Sequence, residues 1–264
     1  MKKEIILFDL DGTLTDPMEG ITKSVQYALR HYGIEEPDLK KLTPFIGPPL
    51  RDSFMKYYGF SKEQADEAVW VYREYFADKG IFENQELPGI RAMLEGLKAA
   101  GKQLYVATSK PEVYARQILE HFHLDEYFAF VGGADMGETR VKKGDVIRYV
   151  LDEAGVGGRK TAAVENVGAE TARTETSGTM NAGMEMADAG NVGMRITGAE
   201  VPMESIVMVG DREHDILGAK ENGISSVGLL LGYGSREELM EAGADRIAAD
   251  AEELAEILLG EWEG

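Results

Sequence analysis

Short apolar runs alternate with longer amphipathic stretches along this chain. Ile5–Phe8 and residues 104–107, 128–132, 206–209 and 227–231 are runs of four or five mostly apolar residues. Runs of that length without polar alternation predict strands buried on both faces. The segments between them place apolar residues at helical spacing. The alternation therefore predicts an α/β fold, a doubly wound, parallel, Rossmann-like sheet. Prolines punctuate it as expected: Pro88 opens a helix that closes before Gly101, and Pro111 opens another directly after residues 104–110.

Residues 16–84 interrupt the alternation and show no strand pattern. Ile21, Val25, Ala28 and Leu29 recur at helical spacing within residues 17–32. Further on, Ser61 and Gln64 form a capping-box pair ahead of one apolar stripe, Ala65, Ala68, Val69, Tyr72 and Phe76. The expectation is a small all-helical cap over residues 16–84, on a core built from residues 1–15 and 85–264. Trp70, Tyr72, Tyr75 and Phe76 are read as the apolar core of that cap rather than as a stacking platform.

Residues 157–200 are different again. These 44 residues hold 8 Gly, 8 Ala, 6 Thr and 4 Met, with no Leu and no aromatic residue. Such a stretch buries too little apolar area to offset its ordering entropy, so it reads as a low-complexity, mobile insertion. Either it is a solvated loop without function, or its methionines offer an adaptable binding surface.

Charge narrows the partners. The 264-residue chain has 28 Lys and Arg against 47 Asp and Glu, a net charge of −19. That balance argues against nucleic acid, whose phosphates are neutralised by Lys and Arg. Residues 235–264 alone carry ten acids and two bases, which reads as a solvated acidic helix face. The absence of cysteine excludes disulfides, thiolate metal sites and cysteine nucleophiles. No run approaches the roughly 18 apolar residues of a membrane span. Ile5–Phe8 falls short of the roughly 7–15-residue core of a signal peptide. A cytoplasmic protein without a membrane partner is expected.

Four pieces that carry chemistry each fall where a strand ends. In Asp9-Leu10-Asp11-Gly12-Thr13, period two puts both carboxylates on one side as the chain leaves the sheet. That pairing suits a nucleophile beside a general acid/base, and Gly12 lets backbone amides approach an anion. The plain alternative is an Asp-Gly turn with a solvated Asp9. Thr108-Ser109-Lys110-Pro111 brings hydroxyls and free amides to a helix start, which is either an anion site or an ordinary N-cap. Lys142 and Lys143 open a helix where positive charge is unfavourable, so an anion compensates them or they are simply solvated. Asp211 and Asp215 follow the strand at 206–209, four residues apart on one helical face. They offer the hard oxygens that Mg²⁺ prefers, or alternatively Asp211 caps the helix and the other acids compensate its dipole. In an open α/β sheet the strand ends meet in one crevice, which joins the four pieces.

Asp-Leu-Asp-Gly-Thr-Leu-Thr-Asp, Thr-Ser-Lys-Pro, the helix start at Lys143 and Gly-Asp-x-x-x-Asp, in this order, resemble the motifs of haloacid dehalogenase-type phosphatases. The stretches Phe45-Ile-Gly-Pro-Pro-Leu50 and Gly232-Tyr-Gly-Ser235 are similar to those of the phosphoglycolate phosphatase-like branch. The resemblance spans nearly the whole chain except residues 157–200. It implies that Asp9 attacks phosphorus to form an aspartyl-phosphate, and that Asp11 protonates the leaving oxygen and then activates water. It implies that Thr108 and Lys143 hold the phosphoryl oxygens, with Ser109 and Gly12 in the phosphate-binding set. Asp9, the Asp11 carbonyl, Asp211 and Asp215 would hold Mg²⁺. The substrate so implied is a small phosphorylated metabolite, of phosphoglycolate or nucleoside monophosphate type. A sugar phosphomutase shares the first step. A non-catalytic protein whose insertion serves binding or disrupts the site is the reading from another class. Family members run almost directly from the helix near residue 155 to the strand at 206, so the 157–200 stretch is a departure.

Overall fold

The computed structural model describes residues 2–137, 139–156 and 201–262. In chain order, β1 (Ile5–Phe8) and a two-residue β2 (Thr15–Asp16) lead into helices α1 (Met18–His31), α2 (Leu50–Tyr58) and α3 (Lys62–Tyr75). A second short strand, β3 (Gln85–Glu86), returns the chain to α4 (Ile90–Ala99), β4 (Gln103–Pro111), α5 (Glu112–His121), β5 (Phe130–Ala134) and α6 (Lys143–Glu153). After residue 200 come β6 (Ile206–Gly210), α7 (Glu213–Glu221), β7 (Ser225–Leu229), α8 (Arg236–Ala242), β8 (Arg246–Ala248) and α9 (Ala251–Leu259).

Six strands form one parallel sheet in the order β5-β4-β1-β6-β7-β8. All four residues of β1 are buried, which is why the run carries no polar alternation. Ile6 and Phe8 share one apolar layer with Leu94 and Leu97 of α4, Ile118 of α5 and Leu254 of α9. Ile5 and Leu7 share another with Val146, Ile147 and Val150 of α6 and Ala219 of α7. Helices thus cover both faces, the doubly wound arrangement expected from the pattern.

The strand order reverses at β1, with β4 on one side and β6 on the other. Crevices for ligands open at such switch points, outside the strands' carboxyl ends. Register sets what faces this one. Phe8 is level with Val106 of β4 and with Val209 of β6, so Asp9, Thr108 and Asp211 all emerge within two residues of one line. The Asp9 amide still donates to the Val209 carbonyl at 2.9 Å, but β1 ends at Phe8. Both early acids therefore sit on the loop leaving the strand rather than on the strand itself.

Between β2 and β3 the described residues are helical apart from their connections. The capping box is present: Ser61 Oγ accepts the Gln64 amide, and the Gln64 side chain accepts the Ser61 amide at 3.0 Å. Ala65, Ala68, Val69, Tyr72 and Phe76 are all buried. Trp70 is not, being 68% exposed, and Tyr75 is only half-buried, so two of the four aromatics lie outside the core expected for them. Trp70 follows Val69, and one residue turns the helix about 100° away from the buried stripe.

Two features escape the sequence pattern. β2 and β3 pair as an antiparallel ribbon where the helical segment leaves and rejoins the sheet, each strand too short to show a period. The acidic stretch 235–264 contains, among its described residues, helix, strand and helix rather than one solvated face. Its acids take structural work there. Asp250 caps α9 by accepting the amides of Glu252 and Glu253 at 3.0 and 2.9 Å, and Asp245 accepts the Ser226 amide at 2.8 Å beside the edge strand. Acids in first helical turns are favoured by the peptide dipoles. The insertion read at residues 157–200 lies outside the described residues. No described helix is long and apolar enough to cross a membrane.

Candidate active site

The ends of β1, β4 and β6 and the first turns of α6 and α7 bring seven of the eight singled-out residues into buried positions: Asp9, Asp11, Gly12, Thr108, Lys143, Asp211 and Asp215. Ser109 is half-buried and lines the adjoining cavity. Burial decides between the readings that sequence left open. Asp9 is 5% exposed and so is not a solvated turn residue. Lys142 is exposed but Lys143 is buried, so the pair is not a solvated one. Neither Thr108 nor Ser109 caps α5, which begins behind Pro111 without a side-chain cap. Thr108 Oγ1 instead accepts the Lys110 amide at 3.2 Å within the last residues of β4, where pairing with β5 shifts register between Ala107 and Pro111.

Lys143 is the centre of charge. Its Nζ lies 2.8 Å from Asp9 Oδ1 and 2.9 Å from Asp215 Oδ1, and donates to the Ala107 carbonyl at 3.1 Å. Burial pulls the ammonium's pKa down, but Asp215 and Asp9 outweigh it and hold the group above an ordinary lysine. This is why a buried positive charge survives at a helix start: carboxylates of two other elements compensate it. Asp215 has a second duty, since its Oδ2 accepts the Arg212 amide at 3.1 Å and closes the first turn of α7. The cap expected from Asp211 is thus made by Asp215. Asp211 makes no such cap; its Oδ2 accepts the Tyr233 amide at 2.7 Å.

Asp9, Asp211 and Asp215 each offer a carboxylate oxygen within 4.8 Å of the others, all buried. One ammonium does not balance three buried carboxylates. Burial, reinforced by the neighbouring acids, pushes Asp211 well above the usual carboxylate range and Asp215 up to about 6. Asp215 Oδ1 is ion-paired with Lys143 and has no hydrogen-bond partner besides that contact. A deficit of positive charge amid hard oxygen donors fits a divalent cation of the Mg²⁺ kind. The backbone is shaped for the same cluster. Gly12 has φ +81°, and a Cβ there would lie 2.4 Å from Asp211 Oδ2; a Cβ on Gly232 would lie 2.2 Å from the same atom.

Asp11 stands apart from this cluster. Its Oδ2 accepts from Lys110 Nζ at 2.6 Å, and its Oδ1 is buried with no hydrogen-bond partner. Burial raises its pKa, Lys110 opposes the rise, and Asp9 adds to it. A carboxyl so placed is suited to exchange a proton. Lys110 is the residue that sequence reasoning quoted without a role. Lysines are mostly exposed, and no periodicity distinguishes a buried one. The roles of Tyr233 and Arg212 are not local either, since they act through contacts 22 to 217 residues apart: Tyr233 to Asp211 and Asp16, Arg212 to Ile46.

A cavity of about 220 Å³ opens beside these groups. Asp11, Ser109 and Lys110 line it, together with Phe45, Tyr72 and Phe76 of the helical segment. The site thus gathers a buried carboxylate beside an ammonium, a three-acid cluster that includes it, and a second carboxyl, Asp11, that lines the adjoining cavity.

Known proteins share this arrangement of chain. The pattern of haloacid dehalogenase-like hydrolases matches residues 6–187. The chain is 41% identical over 253 residues to a protein of Pseudomonas aeruginosa named 5'-nucleotidase, covering 96% of this chain and 94% of that one. It is 32% identical over 257 residues to Tyrosine-protein kinase PtkA of Mycobacterium tuberculosis, covering 97% and 72%. A phosphoglycolate phosphatase of Aquifex aeolicus is 32% identical over 145 residues, 54% of this chain and 67% of that one. The crystal structure of a predicted phosphatase from Clostridium acetobutylicum superposes with a TM-score of 0.79 at 39% identity, covering 98% and 99%. The chain belongs to the haloacid dehalogenase-like hydrolase family, in its phosphoglycolate phosphatase-like branch.

Proposed function

We propose that the protein is a Mg²⁺-dependent phosphatase that hydrolyses a small phosphate monoester through an aspartyl-phosphate on Asp9, with residues 16–84 acting as a cap over the site. The observation that carries this reading is the buried Asp9 carboxylate, 2.8 Å from Lys143 and within the three-acid cluster, with Asp11 close behind. Asp9, Asp211, Asp215 and the Asp11 carbonyl would hold the metal. Mg²⁺, when bound there, supplies positive charge that relieves the repulsion between the phosphoryl oxygens and the attacking carboxylate. Lys143 adds a fixed cation on the same side, and Thr108, Ser109 and the amides around Gly12 donate to the phosphoryl oxygens. Asp11 gives its proton to the leaving oxygen and takes one from the attacking water.

Among small monoesters the aromatic part of the lining suits a nucleoside monophosphate. Phe45, Tyr72, Phe76 and Tyr114 offer flat apolar surface to a heterocycle, beside the cations Arg51, Arg73 and Lys142 of the same lining. The 41% identical relative named 5'-nucleotidase supports the same choice. The test is phosphate release from p-nitrophenyl phosphate and from a panel of nucleoside 5'-monophosphates and phosphoglycolate, with Mg²⁺ and with a chelator. Turnover that needs the metal and is lost in Asp9→Asn is expected. Undiminished turnover in that variant would remove Asp9 as the nucleophile.

A further inference from the structure

Two buried ammonium groups serve this site, and they face different acids. Lys143 lies against Asp9 and Asp215, whereas Lys110 lies against Asp11 alone among the carboxylates of its ion pairs. Lys110 is 8% exposed. Its place is set from three directions. Its amide donates to Thr108 Oγ1 at 3.2 Å, its Nζ donates to Asp11 Oδ2 at 2.6 Å, and the same Nζ lies 4.8 Å from the centroid of the Phe76 ring. Phe76 opens a π-helical turn, Phe76–Gly80, at the end of α3.

The other oxygen of Asp11 is the informative one. Oδ1 is buried and has no hydrogen-bond partner, and Asp11 lines the cavity. An ammonium has donors and no acceptor, so the oxygen it holds cannot also present a proton to it. From this geometry we infer that Lys110 is a positioning residue for Asp11: it takes Oδ2, and so fixes Oδ1 as the oxygen that exchanges the proton with the leaving group. The inference rests on the phosphatase reading above. In the first half-reaction an Asp9 oxygen bonds to phosphorus and the bond from phosphorus to the leaving oxygen breaks. Its electron pair goes to the leaving oxygen, which receives the proton from Asp11 Oδ1. In the second, water bonds to phosphorus, Asp11 Oδ1 takes the water's proton, and the Asp9–phosphorus bond breaks with its electrons returning to Asp9.

Leaving groups separate this role from phosphate binding and from simple support of the fold. p-Nitrophenolate departs without a proton, whereas the alkoxide of a nucleoside 5'-monophosphate needs one. The measurement is kcat/KM, which reports formation of the aspartyl-phosphate, for both esters with wild-type protein, Lys110→Met and Lys110→Arg. Lys110→Met is expected to lower kcat/KM for the nucleotide about 10²-fold while that for p-nitrophenyl phosphate falls by less than about tenfold, the scale of a lost general acid. Lys110→Arg, which keeps a donor for Oδ2, should hold the ratio of the two nearer the wild-type ratio. Because the ratio is internal to each preparation, partial misfolding does not alter it. An equal fall for both esters in both variants would overturn the inference and make Lys110 a phosphate ligand or a structural residue. Wild-type protein that turns over neither ester with Mg²⁺ would overturn the phosphatase reading itself.

Discussion

Gly232 is not an acid, a base or a ligand, yet the cluster of carboxylates depends on its lack of a side chain. A Cβ at this position would lie 2.2 Å from Asp211 Oδ2 and 2.3 Å from the Gly12 carbonyl oxygen, where ordinary contact begins near 3.4 Å. In Gly232→Ala something must therefore retreat by about 1 Å. Asp211 is fully buried and its Oδ2 is tied to the Tyr233 amide at 2.7 Å, so the carboxylate has no free rotation to use. The Gly12 carbonyl belongs to the loop that carries Asp11, so a shift there disturbs the other side of the site. Overpacking of this kind costs about 1–3 kcal/mol, and misplacing a reacting or ligating group by about 1 Å costs on the order of 10²-fold in rate. The expected result is a higher Mg²⁺ concentration for half-maximal phosphate release and a turnover reduced about 10²-fold. A urea titration should show the matching loss of stability. Gly96→Ala is the control: it lies in the interior of α4, nothing is within 4 Å of its Cβ position, and up to about 1 kcal/mol is gained there from helix propensity. Its rates should match wild type. A Gly232→Ala protein with wild-type metal dependence and turnover would refute the steric argument.

Other consequences follow from the same charges and contacts. Lys143→Met leaves Asp9 and Asp215 buried without their ammonium, so turnover should vanish and metal-free stability should fall by about 3–5 kcal/mol; a urea midpoint equal to wild type would count against it. The acids also set a pH dependence. Asp215 is held up to about 6 in the folded, metal-free protein, against about 4 for an unfolded Asp, so between those values the folded state binds more protons. The metal-free contribution to stability is thus greatest at the acid end of that window and declines as pH rises through about 6. Thermal melts should accordingly show a larger Mg²⁺-induced rise in Tm at pH 7.5 than at pH 5, and an equal rise at both would be the contrary result. Arg212 joins the α7 loop to the helical segment, donating to the Ile46 carbonyl and to Glu238, each at 2.8 Å. Arg212→Ala should raise KM roughly 10-fold, the worth of one charged hydrogen bond, with kcat changed much less. An unaltered KM would show that this link does not shape the substrate cavity.

What was legible from sequence alone was whatever local chemistry and periodicity encode. The apolar runs gave the strands of a parallel sheet except β8, because strands buried on both faces exclude polar residues wherever they run. Proline, glycine and the Ser61–Gln64 box marked helix boundaries, because backbone restriction and capping act within a few residues. The acids at 9, 11, 211 and 215 and the lysine at 143 stand out in sequence because each lies in a loop after a strand or in the first turn of the helix that follows, and the topology of an open sheet sends those segments to one crevice. Three-residue β8 and the β2–β3 ribbon were not, since two or three residues cannot display a period. Tertiary structure alone decided which lysine serves which acid. Lys110 and Lys143 look alike in sequence, one after a strand and one at a helix start, and only packing shows the first on Asp11 and the second on Asp9 and Asp215. It alone showed that Trp70 faces outward while Phe76 covers Lys110, and that Gly12 and Gly232 converge on Asp211 across more than 200 residues of chain. Sequence records which groups are present and at what local spacing; distances between groups remote in the chain arise when the buried faces close on one another.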